Sequence, residues 1–216
     1  MTSKKVYVVG NSVHYASFIT NVELVNKIED ADIVIFTGGE DVDPSLYGEK
    51  KDSSTYSNIA RDKMEIAEFK KVNPNQLVIG ICRGSQLMCV LNGGKLVQHV
   101  TNHGLYGTHS ITNKTFDYEI TSTHHQMQYP YNLEEKDYTL MYVSAPNRSD
   151  RYIGGGIDKT MLLKYGEPEI VLYHKENAPK CLAIQGHPEM MRKEAPVVKM
   201  LNNLILKLLN SIKDGD

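Results

Sequence analysis

Leu77-Val78-Ile79-Gly80-Ile81-Cys82-Arg83-Gly84-Ser85-Gln86 is the stretch on which the fold turns. Residues 77–81 form a short apolar run bounded by a turn signal, the pattern of a buried strand. The run passes into Gly-x-Cys-x-Gly and then directly into residues 84–92, an apolar helical segment closed by Gly93-Gly94 as C-cap. Flanking glycines permit a strained turn and tight helix–strand packing, so the segment has the shape of a nucleophile elbow. It would present the Cys82 sulfur at a helix N-terminus, where the dipole favours thiolate over thiol. A buried, inert cysteine in a glycine-bounded turn is the competing reading of this segment alone.

Upstream, residues 5–9 and 31–36 are β-branched runs, the second ending in Thr37-Gly38-Gly39. Val22, Val25 and Ile28 recur at spacing three, which predicts a helix over 21–30. A second helix is expected over 58–72, with Ser57 as its cap and Ala60 where a capping box wants Glu or Gln. Pro74 and Asn75 stop it. Alternating strands and helices predict a parallel sheet with helices on both faces and a ligand site at the C-terminal strand ends. The later half changes character. Phe116, Tyr118 and Ile120 alternate with polar residues, and 138–143, 169–173 and 180–185 also read as strands, so a small antiparallel layer is expected. Residues 195–212 carry an apolar face at helical period, suited to packing on the sheet. The glycine run Gly154-Gly155-Gly156 makes 148–159 the expected mobile loop. No internal repeat or linker divides the chain, and residues 1–216 are expected to form a single domain.

The composition agrees. The 216 residues carry 24 Lys+Arg against 26 Asp+Glu, and this near-neutral balance removes the broad electrostatic footprint of a general nucleic-acid binder. Hydrophobic residues at 41% and charged residues at 23% are ordinary globular usage, which argues against disorder. No uninterrupted apolar run approaches the roughly 18 residues of a membrane span, and residues 1–10 lack the apolar stretch and cleavage site of a signal peptide. Three cysteines cannot all pair and no CxxC is present, so a reduced, cytoplasmic setting is expected. No GxGxxG follows the first strand, which removes a dinucleotide-binding role.

A cysteine nucleophile needs a base, and eight histidines compete for that role. His187 stands out because a strand ends just before Gly186-His187-Pro188-Glu189. A histidine there, with a carboxylate two residues on, can have one ring nitrogen held by the acid while the other faces the thiol. A solvated surface turn is the competing reading.

Taken together, the segments resemble the class I glutamine amidotransferases, and within them the γ-glutamyl hydrolase type. Four blocks stand in matching order: Thr37-Gly38-Gly39-Glu40-Asp41-Val42-Asp43-Pro44, residues 80–86, Ser122-Thr123-His124-His125-Gln126, and Ala183-Ile184-Gln185-Gly186-His187-Pro188-Glu189. The resemblance implies an α/β, flavodoxin-like fold with a mostly parallel central sheet. It assigns Cys82 as nucleophile, His187 as general base and acid, and Glu189 as the residue orienting His187. Backbone N–H groups of Gly39 (or Gly38) and Arg83 would form the oxyanion hole. Gln86 would hold the glutamyl head group, and His124, His125, Gln126 and Met127 match the segment binding the α-carboxylate and α-amine. The implied reaction is acyl transfer through a γ-glutamyl thioester, with no metal or organic cofactor.

Two positions depart from the γ-glutamyl hydrolase pattern. Cys89 stands where an asparagine is usual, and is expected to pack in the core, as is Cys181. Gly186 replaces a usual aromatic, which predicts open space beside His187 for an unusual leaving group. Glu40, Asp41 and Asp43 could hold a cationic amine, but capping of a turn is the favoured reading. His99, His103 and His109 invite a zinc reading that is set aside, since no carboxylate or cysteine completes a recognisable set. Three functions follow: a stand-alone γ-glutamyl amide hydrolase, first; a glutaminase subunit supplying ammonia to a separate synthetase partner; and, disfavoured by the complete set of nucleophile, base and acid, a non-catalytic binding protein. The expected ligand is a small-molecule γ-glutamyl substrate, with no nucleic-acid or membrane partner.

Overall fold

Period-two burial decides the centre of the molecule. In the computed structural model, which describes residues 3–104 and 107–214, the first half holds β1 (Lys4–Val8), β2 (Val22–Leu24), β3 (Ile33–Phe36), α1 (Ile59–Phe69), β4 (Leu77–Ile81), α2 (Arg83–Leu91), β5 (Lys95–Val97) and β6 (His99–Val100). The second half holds β7 (Thr108–Thr112), β8 (Asp117–Thr121), β9 (Met127–Tyr129), β10 (Tyr138–Ser144), β11 (Tyr152–Ile153), α3 (Lys159–Tyr165), β12 (Pro168–Tyr173), β13 (Cys181–Ile184) and α4 (Pro196–Asp214). Ile33, Ile35, Leu77, Ile79 and Ile81 point to one face, where Val197, Val198, Leu201 and Ile205 of α4 cover them. Val34, Phe36 and Val78 point to the other, beneath Leu87, Met88 and Cys89 of α2 and Phe69 of α1. Each strand is therefore apolar throughout because each face meets a helix.

Nine strands form one sheet in the order β2-β1-β3-β4-β13-β12-β10-β7-β8. Neighbours from β2 to β13 are parallel, and every pairing beyond β13 is antiparallel. The antiparallel strands thus extend the central sheet itself; separate ribbons are confined to the two-stranded pairs β11-β6 and β5-β9. Among the described residues no helix is long and apolar enough to cross a membrane.

Several expectations need correction. Residues 21–30 are not a helix: Val22–Leu24 pairs in parallel with β1 as the edge strand, and only a 3-10 turn, Ile28–Asp30, follows. Three apolar residues at spacing three are a thin helical signal, and β-branched Val22 suits the sheet edge. Asn58, not Ser57, caps α1, its side chain accepting from the Arg61 amide at 3.2 Å, while Ser57 donates to Asp43 at 2.7 Å. The 148–159 segment is tied down, for Tyr152 and Ile153 pair with β6 and the Gly155 amide donates to Glu49 at 2.8 Å. Helix α3 and strand β7 carry no signal strong enough to have been anticipated. Cys89 and Cys181 lie in the core as expected, where burial pushes each thiol up to about 12.

Candidate functional site

Strand β4 turns into α2 at Cys82, whose backbone is held at φ 52° and ψ −108°. A β-carbon gives that region a steric penalty of the kind met at functional sites. Both neighbouring glycines are required. A Cβ on Gly80 would lie 2.5 Å from the Gly84 carbonyl oxygen, and one on Gly84 would run into the Phe36 carbonyl. The Cys82 amide donates to the Ile184 carbonyl of β13 at 2.8 Å, and its own carbonyl accepts from Ser85 and Gln86 amides at 3.0 and 3.2 Å. The side chain therefore stands at the start of α2, on the strand next to β13.

His187 follows the end of β13. Its amide donates to Thr121 Oγ1 at 2.6 Å, and its Nδ1 lies 2.7 Å from Glu189 Oε1. The other ring nitrogen is left toward Cys82, whose nearness supports the charged ring. Burial disfavours the charged ring, but Cys82 and Glu189 outweigh it and carry His187 up to about 10. Gly38 sits beside the pair: a Cβ there would lie 3.1 Å from His187 Cε1 and 3.6 Å from Cys82 Cβ. The Tyr15 hydroxyl, not anticipated from sequence, closes the same corner at 2.8 Å from that Cβ position.

The loop after β3 is shaped by α1. Gly39 has φ +144°, and a Cβ on it would collide with the Arg61 guanidinium. Arg61 donates to the Gly38 carbonyl at 2.7 Å, to Glu40 at 2.6 Å and to Glu65 at 2.9 Å. Glu65 and Asp62 in turn pair with the buried Arg83 guanidinium, and Asp62 accepts the Asp43 amide at 3.0 Å. The Arg83 side chain is thus a bracket between α1 and α2, and its backbone amide lies in the first turn of α2, whose amides have no partner within the helix. In sequence Arg61, Asp62 and Glu65 read as a solvated helix face, and no signal marked them. The acidic cluster is consumed within the protein: Glu40 by Arg61, Asp41 by His125 at 3.0 Å and Asp43 by Ser45 in the 3-10 turn Pro44–Tyr47.

A cavity of about 180 Å³ opens in front of Cys82, lined by Gly39, Gln86, Tyr56, His125 and Gln126 among others. Gln86 donates to the Gln126 carbonyl at 2.9 Å, and Gln126 Nε2 donates to Thr55 at 3.0 Å, leaving Gln126 Oε1 without a partner among the described residues. The Asp41 hydrogen bond holds the His125 imidazole above its usual range, against burial. His124 borders the cavity but turns its Nδ1 to the Gln126 carbonyl at 2.9 Å, and burial pushes it down to about 3. Met127 departs from expectation. Its side chain packs with Val97, Val100 and Tyr129 in a separate core cluster, away from the cavity. The space expected beside His187 is also absent, because Gly186 faces Ile120 Cγ1 and the Thr121 carbonyl at 2.6 and 2.8 Å from any added Cβ.

Behind His124 lies a second cluster that sequence reading did not assemble. His103 Nε2 meets Glu167 Oε2 at 3.0 Å, and His109 Nε2 meets Glu169 Oε1 at 2.8 Å. Glu169 Oε1 also lies 3.6 Å from His103 Nδ1 and 3.8 Å from His124 Nε2. Carboxylates do therefore accompany His103 and His109. They come from β12 and the residue just before it, 58 or more residues downstream, and His124, not His99, is the third histidine. Burial opposes ionisation of Glu167, yet bonds from His103 and the Arg148 and Ser149 amides outweigh it and hold the carboxyl at about 2. Glu169 is likewise held below the usual carboxylate range, the His109 bond overcoming burial.

Comparison with known proteins bears on this geometry. Residues 8–138, more than half of the chain, match the family model described as Peptidase C26. The chain is 28% identical over 166 residues to the glutamine amidotransferase-like protein YvdE of Lactococcus lactis subsp. lactis, an alignment covering 76% of this chain and 68% of that protein. It is 35% identical over 78 residues to the protein NtpR of Enterococcus hirae, covering 35% of this chain and 33% of NtpR. Among solved structures it superposes on a GMP synthase component of Thermoplasma acidophilum with a TM-score of 0.60 at 16% identity, over 99% and 98% of the two chains. PurLQS of Thermotoga maritima gives a TM-score of 0.52 at 13% identity, over 98% and 99%. These likenesses establish the class I glutamine amidotransferase-like α/β fold.

Proposed function

Because the chain belongs to the peptidase C26 family, we propose that it cleaves a γ-glutamyl amide bond by acyl transfer through Cys82. The observation that carries this reading is the Cys82 elbow, facing an imidazole whose far nitrogen is held by Glu189 at 2.7 Å. The Cys82 thiolate attacks the γ-carbonyl carbon, forming the C–S bond and an oxyanion. Amides of Gly39 and Arg83 donate to that oxygen; a single such donor is worth about 10²–10³ in rate. Collapse breaks the C–N bond while His187 gives its proton to the departing amine. Water then attacks the γ-glutamyl thioester, His187 taking its proton, and glutamate leaves with the thiol restored. Glu189 fixes the ring orientation throughout. Gln86, His125 and Gln126 stand where they can hold the α-carboxylate and α-amine.

A cavity of about 180 Å³ is below the roughly 300–1,000 Å³ of drug-sized sites and suits an amino-acid head group. Its size supports a second reading, in which glutamine itself is the substrate and the ammonia passes to a synthetase partner. Glutamate release by the purified chain, from L-glutamine and from a panel of γ-glutamyl amines, separates the two. High turnover of one γ-glutamyl amine over glutamine is the expected result and names the leaving group. Uniformly slow turnover, raised by a synthetase, would favour the second reading. Undiminished release by Cys82→Ala would undo both.

A further inference from the structure

We infer that His103, His124 and Glu169 form a buried site for one divalent transition-metal cation of the Zn²⁺ class, placed directly behind the substrate cavity. One ligand atom from each of the three lies within 4.8 Å of the other two, and all three residues are buried. The tautomers point the same way. The His124 Nδ1 bond to the Gln126 carbonyl, 2.9 Å long, must be donated by the ring, because a carbonyl only accepts. Nε2 of His124 is then a bare lone pair, buried and without a hydrogen-bond partner among the described residues. His103 presents Nε2 to Glu167 at 3.0 Å, which leaves Nδ1, equally buried and unpartnered, aimed at Glu169 Oε1.

This is how metal-ligating histidines are commonly held: one ring nitrogen donates to a carboxylate or backbone carbonyl, which fixes the ring and bares the other nitrogen. Glu169 supplies the anionic ligand, and its Oε2 has no partner among the described residues. His109, 2.8 Å from Glu169 Oε1, orients that carboxylate. Lone pairs aimed at one another repel, and a cation at their centre turns the repulsion into attraction. The carboxylates of Glu167 and Glu169 together carry a charge that one divalent ion cancels. The imidazole and carboxylate set suits Zn²⁺ and its neighbours better than Ca²⁺ or Mg²⁺, which take oxygen ligands. The ion plays no part in bond cleavage. Through His124 it would fix the Gln126 carbonyl, which also receives Gln86, and so stiffen the rear wall of the substrate cavity.

Because the ligands are buried, loading belongs to folding. The test unfolds the full chain in guanidinium with EDTA, refolds it with ZnCl₂ or with EDTA, desalts it and measures zinc by mass spectrometry. Wild type and Cys82→Ala are both expected to retain about one equivalent, and His103→Gln and Glu169→Gln to retain at least about tenfold less. Less than about a tenth of an equivalent in refolded, native wild type would overturn the site, as would retention by both variants or selective loss in Cys82→Ala. Should the variants not refold, Co²⁺-refolded wild type decides. Visible d–d bands alone support the histidine–carboxylate site, and a near-ultraviolet sulfur-to-metal band, or no cobalt spectrum, refutes it.

Discussion

A Cβ on Gly186 would meet both the Ile120 side chain and the carbonyl oxygen of Thr121, the residue whose side-chain hydroxyl accepts the His187 amide. Gly186→Ala is therefore expected to destabilise the fold by about 1–3 kcal/mol, the range for overpacking, read from urea denaturation midpoints. The departure at this position reflects a tight approach of the segment after β13 to the end of β8, which one-dimensional comparison cannot reveal. His187 carries a second residue-level prediction. Its imidazolium is sustained up to about 10 by Cys82 and Glu189, so its contribution to stability is full below its ordinary value and lost as pH rises through about 10. Activity should follow, with kcat/KM holding to high pH and falling near 10. Glu189→Gln removes one of the supporting bonds and is expected to bring that limb to lower pH. An identical limb in both proteins would remove Glu189 from its role. Loss of about two to four decades in His187→Asn is the companion expectation.

At the scale of elements, α1 shapes the site without touching the reacting atoms. Arg83 is buried between Asp62 and Glu65, so Arg83→Met leaves Asp62 in the interior without a cation and Glu65 with Arg61 alone. Breaking such a buried pair is expected to cost about 3–5 kcal/mol, measured by equilibrium unfolding, while Asn58→Ala at the cap of the same helix should cost only about 0.5–2 kcal/mol. The comparison separates loss of the bracket from loss of the helix. Elements with strong periodicity were legible from sequence: β3, β4, α2, α4 and, in the later half, β8, β10, β12 and β13. Candidate nucleophile, base and acid were legible too, because each sits at a local turn with its own residue grammar. What could not be read was the bracket, whose buried charges look like any solvated helix face, and the His103–Glu169 cluster, whose members come together only when β12 enters the sheet. The edge strand at 22–24 was lost because Val22, Val25 and Ile28 fit a helical spacing, while a three-residue strand offers only Val22 and Leu24 as an alternation.

For the molecule as a whole, β12 links the antiparallel strands to the loops behind the cavity. Glu167 at its base accepts from the Arg148 and Ser149 amides at 2.7 and 2.9 Å and from the Tyr152 hydroxyl at 2.8 Å. A carboxyl held at about 2, down from 4.5, adds stability that is present above its ordinary value and lost as pH falls through about 2. Glu167→Gln is accordingly expected to flatten the acid side of the stability–pH profile, followed by urea midpoints between about pH 5 and pH 2. An unchanged acid slope would place the acid sensitivity elsewhere.

The amide bond from Cys82 to the Ile184 carbonyl, 2.8 Å long, ties the end of β4 to the end of β13. Cys82 and His187 therefore ride on one rung of a shared ladder, and bending of the sheet carries both together. The loop segments that line the cavity, residues 39–41 and 123–126, hang from other elements. In evolutionary terms the Cys82–His187 pairing and most of the cavity lining are separable inheritances. Loops lining the cavity can drift while the distance between sulfur and imidazole stays as it was.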